Sequence, residues 1–125
     1  MPEPAKVLIT GASGLLGANL VRHYAPNSET TGWYATNSIV IDGARIEKID
    51  IADEQTVSQA LERIQPDLII HCAAATNVEW CEQNPDQAKA INETATVFIA
   101  EKAKELSAKF IFTSTDSVFD GKNSK

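Results

Sequence analysis

The sequence predicts an α/β protein: a parallel sheet, doubly wound, with helices on both faces. Three observations carry that expectation. An apolar run over residues 7–9 is followed by Gly11, Gly14 and Gly17, a G-x-x-G-x-x-G spacing that leads straight into a helical pattern. Two strand–helix–strand units then succeed one another, and parallel neighbours need such crossovers. The segments between the strands keep a helical period, with apolar residues on one face.

The glycines have separate physical reasons. One allows the tight turn out of the strand, one lets the backbone approach a pyrophosphate, and one lets the helix lie close to the sheet. The free N–H groups and positive end of the new helix then face the phosphates. A glycine-rich turn can also simply end a strand. Strand, glycines and amphipathic helix in the required order favour a nucleotide-binding, Rossmann-like sheet.

Length and composition set bounds. At 125 residues the sequence fits one domain, taken as residues 1–125, with room for a core. The formal charge of −6 argues against non-specific binding of DNA or RNA, since phosphate contact needs a basic surface. No apolar run approaches the roughly 18 residues of a membrane span. The opening Met-Pro-Glu-Pro does not read as a signal peptide, so a cytoplasmic protein is expected, with no membrane partner. Cys72 and Cys81 are too few for a disulfide framework or a structural zinc site. Two reduced thiols and no metal site are expected.

Taken in order, Leu16, Leu20, Val21 and Tyr24 lie at helical spacing, and Pro26 marks the exit. His23 has polar neighbours and is expected to be solvated. Residues 30–36, with Trp33 and Tyr34, read as the second strand. An acid at its end would bind the ribose hydroxyls of NAD, and a base nearby would favour the phosphate of NADP. Thr36, Asn37 and Ser38 are neither, which leans slightly towards NADPH. Residues 38–42 are an ambiguous apolar run. Residues 45–49 read as the third strand, ending at Asp50 and Ile51. Asp53 suits a helix N-cap, and Val57, Ala60, Leu61 and Ile64 form one face behind it. Pro66 and Asp67 stop that helix and open the fourth strand, residues 68–72.

His71 ends an apolar strand and is expected to be a hydrogen-bonded structural residue. Ala73, Ala74 and Ala75 after it leave room for a flat ligand where strand order reverses, although a tight turn would use them equally well. A long helix is expected over residues 85–106. It carries Asn92 close to its buried stripe, with Trp80 just before it as a core or interface residue. Residues 109–113 read as the fifth strand. Ser114, Thr115 and Asp116 then stand at the carboxyl edge where ligands of such sheets collect, or serve as ordinary strand-end caps.

With these pieces in place the sequence resembles the extended short-chain dehydrogenase/reductases, most closely the dTDP-4-dehydrorhamnose reductases and their sugar-nucleotide reductase relatives. Four stretches carry the likeness: Thr10-Gly-Ala-Ser-Gly-Leu-Leu-Gly17, Pro66-Asp-Leu-Ile-Ile-His-Cys-Ala-Ala74, Asn77-Val-Glu-Trp-Cys-Glu-Gln-Asn-Pro85 and Ser114-Thr-Asp-Ser-Val-Phe-Asp-Gly121. The resemblance implies that Gly11, Ser13, Gly14, Leu15, Leu16 and Gly17 hold the pyrophosphate of NADPH or NADH. It further implies that Asp50 and Ile51 meet the adenine, and that Cys72, Ala73 and Ala74 line the passage to the nicotinamide ribose. Thr115 would hydrogen-bond the carbonyl of a nucleotide-sugar substrate, with Asp116 beside it. In such enzymes the nicotinamide gives a hydride to C4 of a 4-keto-6-deoxysugar nucleotide. A tyrosine tuned by a lysine four residues on gives the proton.

The sequence departs from that pattern in two places. Its only tyrosines, Tyr24 and Tyr34, are followed four places on by Ser28 and Ser38, so no Tyr-x-x-x-Lys is present. Ser117 stands where relatives usually carry tyrosine. The expectation is therefore the cofactor-binding part of a reductase, with strand order 3-2-1-4-5, truncated before the last strands and inactive alone. Strand five would be an open edge, favouring a homodimer or aggregation. The alternative is a non-catalytic nucleotide-binding module resembling the regulatory beta subunit of methionine adenosyltransferase.

Overall fold

The computed structural model of the chain describes residues 5–34, 39–73 and 83–114. Among these residues the elements are, in order, β1 (Lys6–Thr10), α1 (Leu15–Tyr24), β2 (Glu29–Tyr34), β3 (Ala44–Lys48), α2 (Glu54–Ile64), β4 (Leu68–Ala73), α3 (Pro85–Glu105) and β5 (Lys109–Ser114). The five strands form one sheet in the order β3-β2-β1-β4-β5, and each neighbouring pair is parallel. This is the Rossmann-like order expected from the sequence. β1 is central because its apolar run is buried on both faces: Val7, Leu8 and Ile9 are all fully covered.

Alternation along the strands divides the core in two. Val7, Ile9, Ile70 and Cys72 face α1, packing with Ala12, Ala18 and Val21. Leu8, Trp33 and Ile69 face the other way, against Val57, Ala60 and Leu61 of α2 and Ile99 and Ala103 of α3. The ambiguous run before β3 resolves by the same rule. Ile39 and Ile41 pack into the α1-side core, whereas Val40 is 86% exposed.

Local chemistry sets the helix ends. Asp53 caps α2: its carboxylate accepts from the Thr56 N–H at 3.2 Å and the Thr56 hydroxyl at 2.9 Å. At the end of α3 the Ala108 N–H reaches the Ala103 carbonyl at 2.8 Å and the Ser107 N–H reaches Lys104 at 3.1 Å. That is a Schellman closure with Ser107 at φ 60°.

Most element boundaries lie within a residue or two of expectation. Not every apolar position at helical spacing on α1 faces inward. Leu16 is 42% exposed, and the buried positions of α1 are Gly17, Ala18 and Val21. Small residues let α1 come close to the sheet, and Gly32 on β2 extends that closeness: a Cβ there would stand 2.8 Å from Ala12 Cβ and 3.2 Å from Val21 Cγ2. The helix axis is therefore set by its smallest side chains, and Leu16 turns outward.

Candidate functional site

Because all strands run the same way, every strand C-terminus lies along one edge. That edge gathers the glycine loop after β1, Asp50 and Ile51 after β3, and Cys72 and Ala73 at the end of β4. The order of connection reverses between β1 and β4, the place where open α/β sheets offer a crevice to ligands.

Gly11 sits at that reversal. Its φ of 68° is in the left-handed region, and a Cβ on it would stand 2.6 Å from the Cys72 carbonyl oxygen. A Cβ on Gly17 would overlap the Gly11 carbonyl oxygen and stand 2.7 Å from its carbon. Gly14 has ordinary space around its missing side chain, where the nearest atom is the Gly11 oxygen at 3.4 Å. Two glycines thus answer to packing inside the chain, while the third leaves the outer wall of the loop bare. The loop is tied down from β2, since the Ala12 N–H donates to the Trp33 carbonyl at 2.9 Å.

α1 begins at this loop with Gly14 as N-cap. No side chain caps it, and no acidic residue lies in its first turn. Free N–H groups and the positive helix end therefore stay available to an anion. Ser13 is exposed beside them, and Leu15 at 85% exposure and Leu16 flank the loop with apolar surface. Backbone, bare glycine wall and uncapped helix end together fit a diphosphate.

Behind the crevice lies a buried polar bolt. Thr10 Oγ1 is 2.7 Å from His71 Nδ1 and also accepts from the Cys72 N–H at 3.0 Å. The other ring nitrogen of His71, Nε2, is 3.0 Å from Thr96 Oγ1 on α3. The imidazole is stacked on Phe110 and Phe112 of β5, with centroids 6.2 and 5.6 Å away. Burial pushes its pKa down to about 4, so it is neutral at physiological pH and holds β1, β4 and α3 together rather than moving protons. His71 is thus the structural residue the sequence suggested. Thr10, read from sequence only as a strand end, is the missed partner, signalled by nothing more than its place before Gly11.

Burial also pushes the Cys72 thiol up, opposed by a hydrogen bond from Thr113. A thiol so shifted is protonated at neutral pH. Asp50 is exposed, and its carboxylate accepts from the Ala52 N–H at 3.0 Å in the turn after β3. Ala74, Trp80, Cys81, Thr115, Asp116 and Ser117 lie outside the described residues, as does the side chain of Asn92. No group of His, Cys, Asp or Glu that could hold a metal ion is found among the described residues.

A family model described as the RmlD substrate binding domain matches residues 5–125. The chain belongs to that family, the dTDP-4-dehydrorhamnose reductase family. A probable low-salt glycan biosynthesis reductase of Haloferax volcanii is 39% identical over 114 residues, covering 90% of this chain and 38% of that protein. Methionine adenosyltransferase 2 subunit beta of Bos taurus is 34% identical over 119 residues, covering 94% of this chain and 34% of its own length. The crystal structure of a hypothetical dTDP-4-dehydrorhamnose reductase from Sulfolobus tokodaii superposes with a TM-score of 0.69 at 33% identity, over 86% of this chain and 38% of that one. The chain thus spans little more than a third of the relatives it matches. Within the RmlD-type sheet, the glycine loop, Asp50, Ile51, Cys72 and Ala73 share one edge, as the sequence implied. No helix among the described residues is long and apolar enough to cross a membrane.

Proposed function

We propose that the chain is the NAD(P)H-binding part of an oxidoreductase that reduces the C4 ketone of a 4-keto-6-deoxysugar nucleotide. The observation that carries the reading is the glycine loop at the strand-order reversal, with its bare Gly14 wall and uncapped helix start. In this reading the N–H groups at the start of α1 and the backbone of Gly11, Ser13, Gly14, Leu15, Leu16 and Gly17 hold the diphosphate. Asp50 and Ile51 meet the adenine, while Cys72, Ala73 and Ala74 wall the passage to the nicotinamide ribose. The cofactor, when bound, supplies the hydride. Thr115 gives a hydroxyl to the substrate carbonyl and Asp116 lies beside it. Membership of the family and the glycan biosynthesis reductase of Haloferax volcanii support the substrate class.

The chain has no Tyr-x-x-x-Lys pair to supply the proton, so it binds cofactor without reducing a keto-sugar by itself. A titration of the purified chain with NADPH and NADH, followed by fluorescence transfer from Trp33 and Trp80, tests the reading. Saturable micromolar binding is expected; no binding by a chain that circular dichroism shows to be folded would sink it.

A second reading has its own support in the methionine adenosyltransferase 2 beta relative. In this reading the fold of the chain keeps its nucleotide site and serves as a regulatory subunit. Co-elution of this chain with a methionine adenosyltransferase catalytic subunit in a stoichiometric complex would favour it.

A further inference from the structure

We propose that Lys48 is the specificity residue that recognises the 2′-phosphate of NADPH; the inference rests on the nucleotide reading above. In sheets of this kind the adenosine ribose lies off the end of the second strand, and a nearby carboxylate or cation decides between a hydroxyl pair and a phosphate. β2 ends at Tyr34, and the residue in register beside Tyr34 is Lys48, the last of β3.

The face is set by alternation. Ala44 and Ile46 pack into the core on the α1 side, while Glu47 turns to the other side, where it pairs with Arg63 of α2 at 2.8 and 3.2 Å. Lys48 therefore stands on the α1 side, the side of the glycine loop and of the free end of α1. It is exposed, and among the described residues no hydrogen bond or ion pair engages its ammonium.

Residues 35–41, which follow β2, contain no acid. The one acid between β2 and β3, Asp42, lies two residues before the first residue of β3 and so at the opposite edge, beyond the roughly 13 Å that the strand spans from Ala44 to Lys48 at about 3.3 Å per residue. Arg45 shares the far face with Glu47. Arg22 and His23 are in the last turn of α1, which points to the opposite edge. Glu47, the nearest carboxylate in sequence, is paired with Arg63 on the other side of the sheet, and Asp50, two residues on from Lys48, accepts from the Ala52 N–H. A cation in register with the end of β2 is the arrangement that favours a phosphate over two hydroxyls.

The test measures binding of NADPH, NADH, 2′,5′-ADP and 5′-AMP to the chain and to its Lys48→Ala, Lys48→Glu and Lys48→Arg variants by calorimetry, with circular dichroism to establish folding. The wild-type chain should prefer NADPH and 2′,5′-ADP. Lys48→Ala should weaken both about tenfold, the scale of one charge-assisted contact, and leave NADH within about twofold. Lys48→Glu should reverse the preference, and Lys48→Arg should retain it. A wild-type preference for NADH, or equal loss for both cofactors in Lys48→Ala, would overturn the assignment of Lys48 alone. A folded wild-type chain that binds neither cofactor would overturn the nucleotide reading itself.

Discussion

Gly17 lies so close to Gly11 that a Cβ on the first would overlap the carbonyl oxygen of the second. The start of α1 is thereby pressed against the turn that leaves β1, and the two ends of the loop act as one unit. Overpacking such a contact costs about 1–3 kcal/mol. Gly17→Ala should therefore lower the midpoint of urea unfolding as well as cofactor binding. Gly14→Ala separates the two effects. Its Cβ would meet the nearest atom at 3.4 Å, so stability should stay within about 0.5 kcal/mol of wild type while NADPH and NADH binding weakens. Unchanged binding in a folded Gly14→Ala chain would remove the loop as the phosphate site.

His71 makes the fold sensitive to acid. Its folded pKa is lowered from 6.5 to about 4, so protons bind the unfolded chain more tightly. The contribution is complete above about pH 6.5 and is lost as pH falls towards 4. It amounts to about 3 kcal/mol by linkage. Urea unfolding between pH 7.5 and 4 should show this decline, and His71→Leu should flatten the portion due to this group. The same variant should be less stable than wild type at neutral pH by about 1–3 kcal/mol, because Thr10 and Thr96 lose their shared partner.

Ser107 closes α3 in a left-handed conformation that glycine adopts without strain. Ser107→Gly should raise stability by about 1 kcal/mol, read as a higher unfolding midpoint at unchanged denaturant slope. A lower midpoint would mean that the serine side chain contributes more than its backbone strain costs.

The β5 edge should govern self-association. Among the described residues the strand pairs with β4 alone, and Ile111 and Phe112 are 39% and 48% exposed. Ile111→Lys places a charge on an open strand, a device that discourages edge pairing. Sedimentation velocity should show less self-association for the variant than for wild type, with the far-ultraviolet spectrum unchanged. Equal association in both would mean that β5 is not the surface in contact.

The succession of elements was legible because it is local. The apolar runs at Val7–Ile9 and Ile69–Ile70, the cap at Asp53 and the glycine spacing each depend on residues close in the chain. The facing of Leu16 was not legible, because an amphipathic count registers apolar character but not size, and the small residues of α1 took the sheet-facing side. His71 could be read as structural, yet its partners could not be named.

By itself, then, the sequence determined a parallel sheet of order 3-2-1-4-5 and a glycine loop at its centre, since strand burial, helical period and glycine stereochemistry are properties of neighbouring residues. Only the tertiary structure decided which distant side chains meet. Thr10 and His71 are 61 residues apart, and His71 and Thr96 are 25 apart; strand register and helix docking bring them within 3.0 Å. Lys48 beside Tyr34 is likewise a matter of register between two strands. Register follows from how whole faces pack, and a one-residue slip of β1, β3 or β4 would turn Thr10, Lys48 or His71 to the opposite side of the sheet.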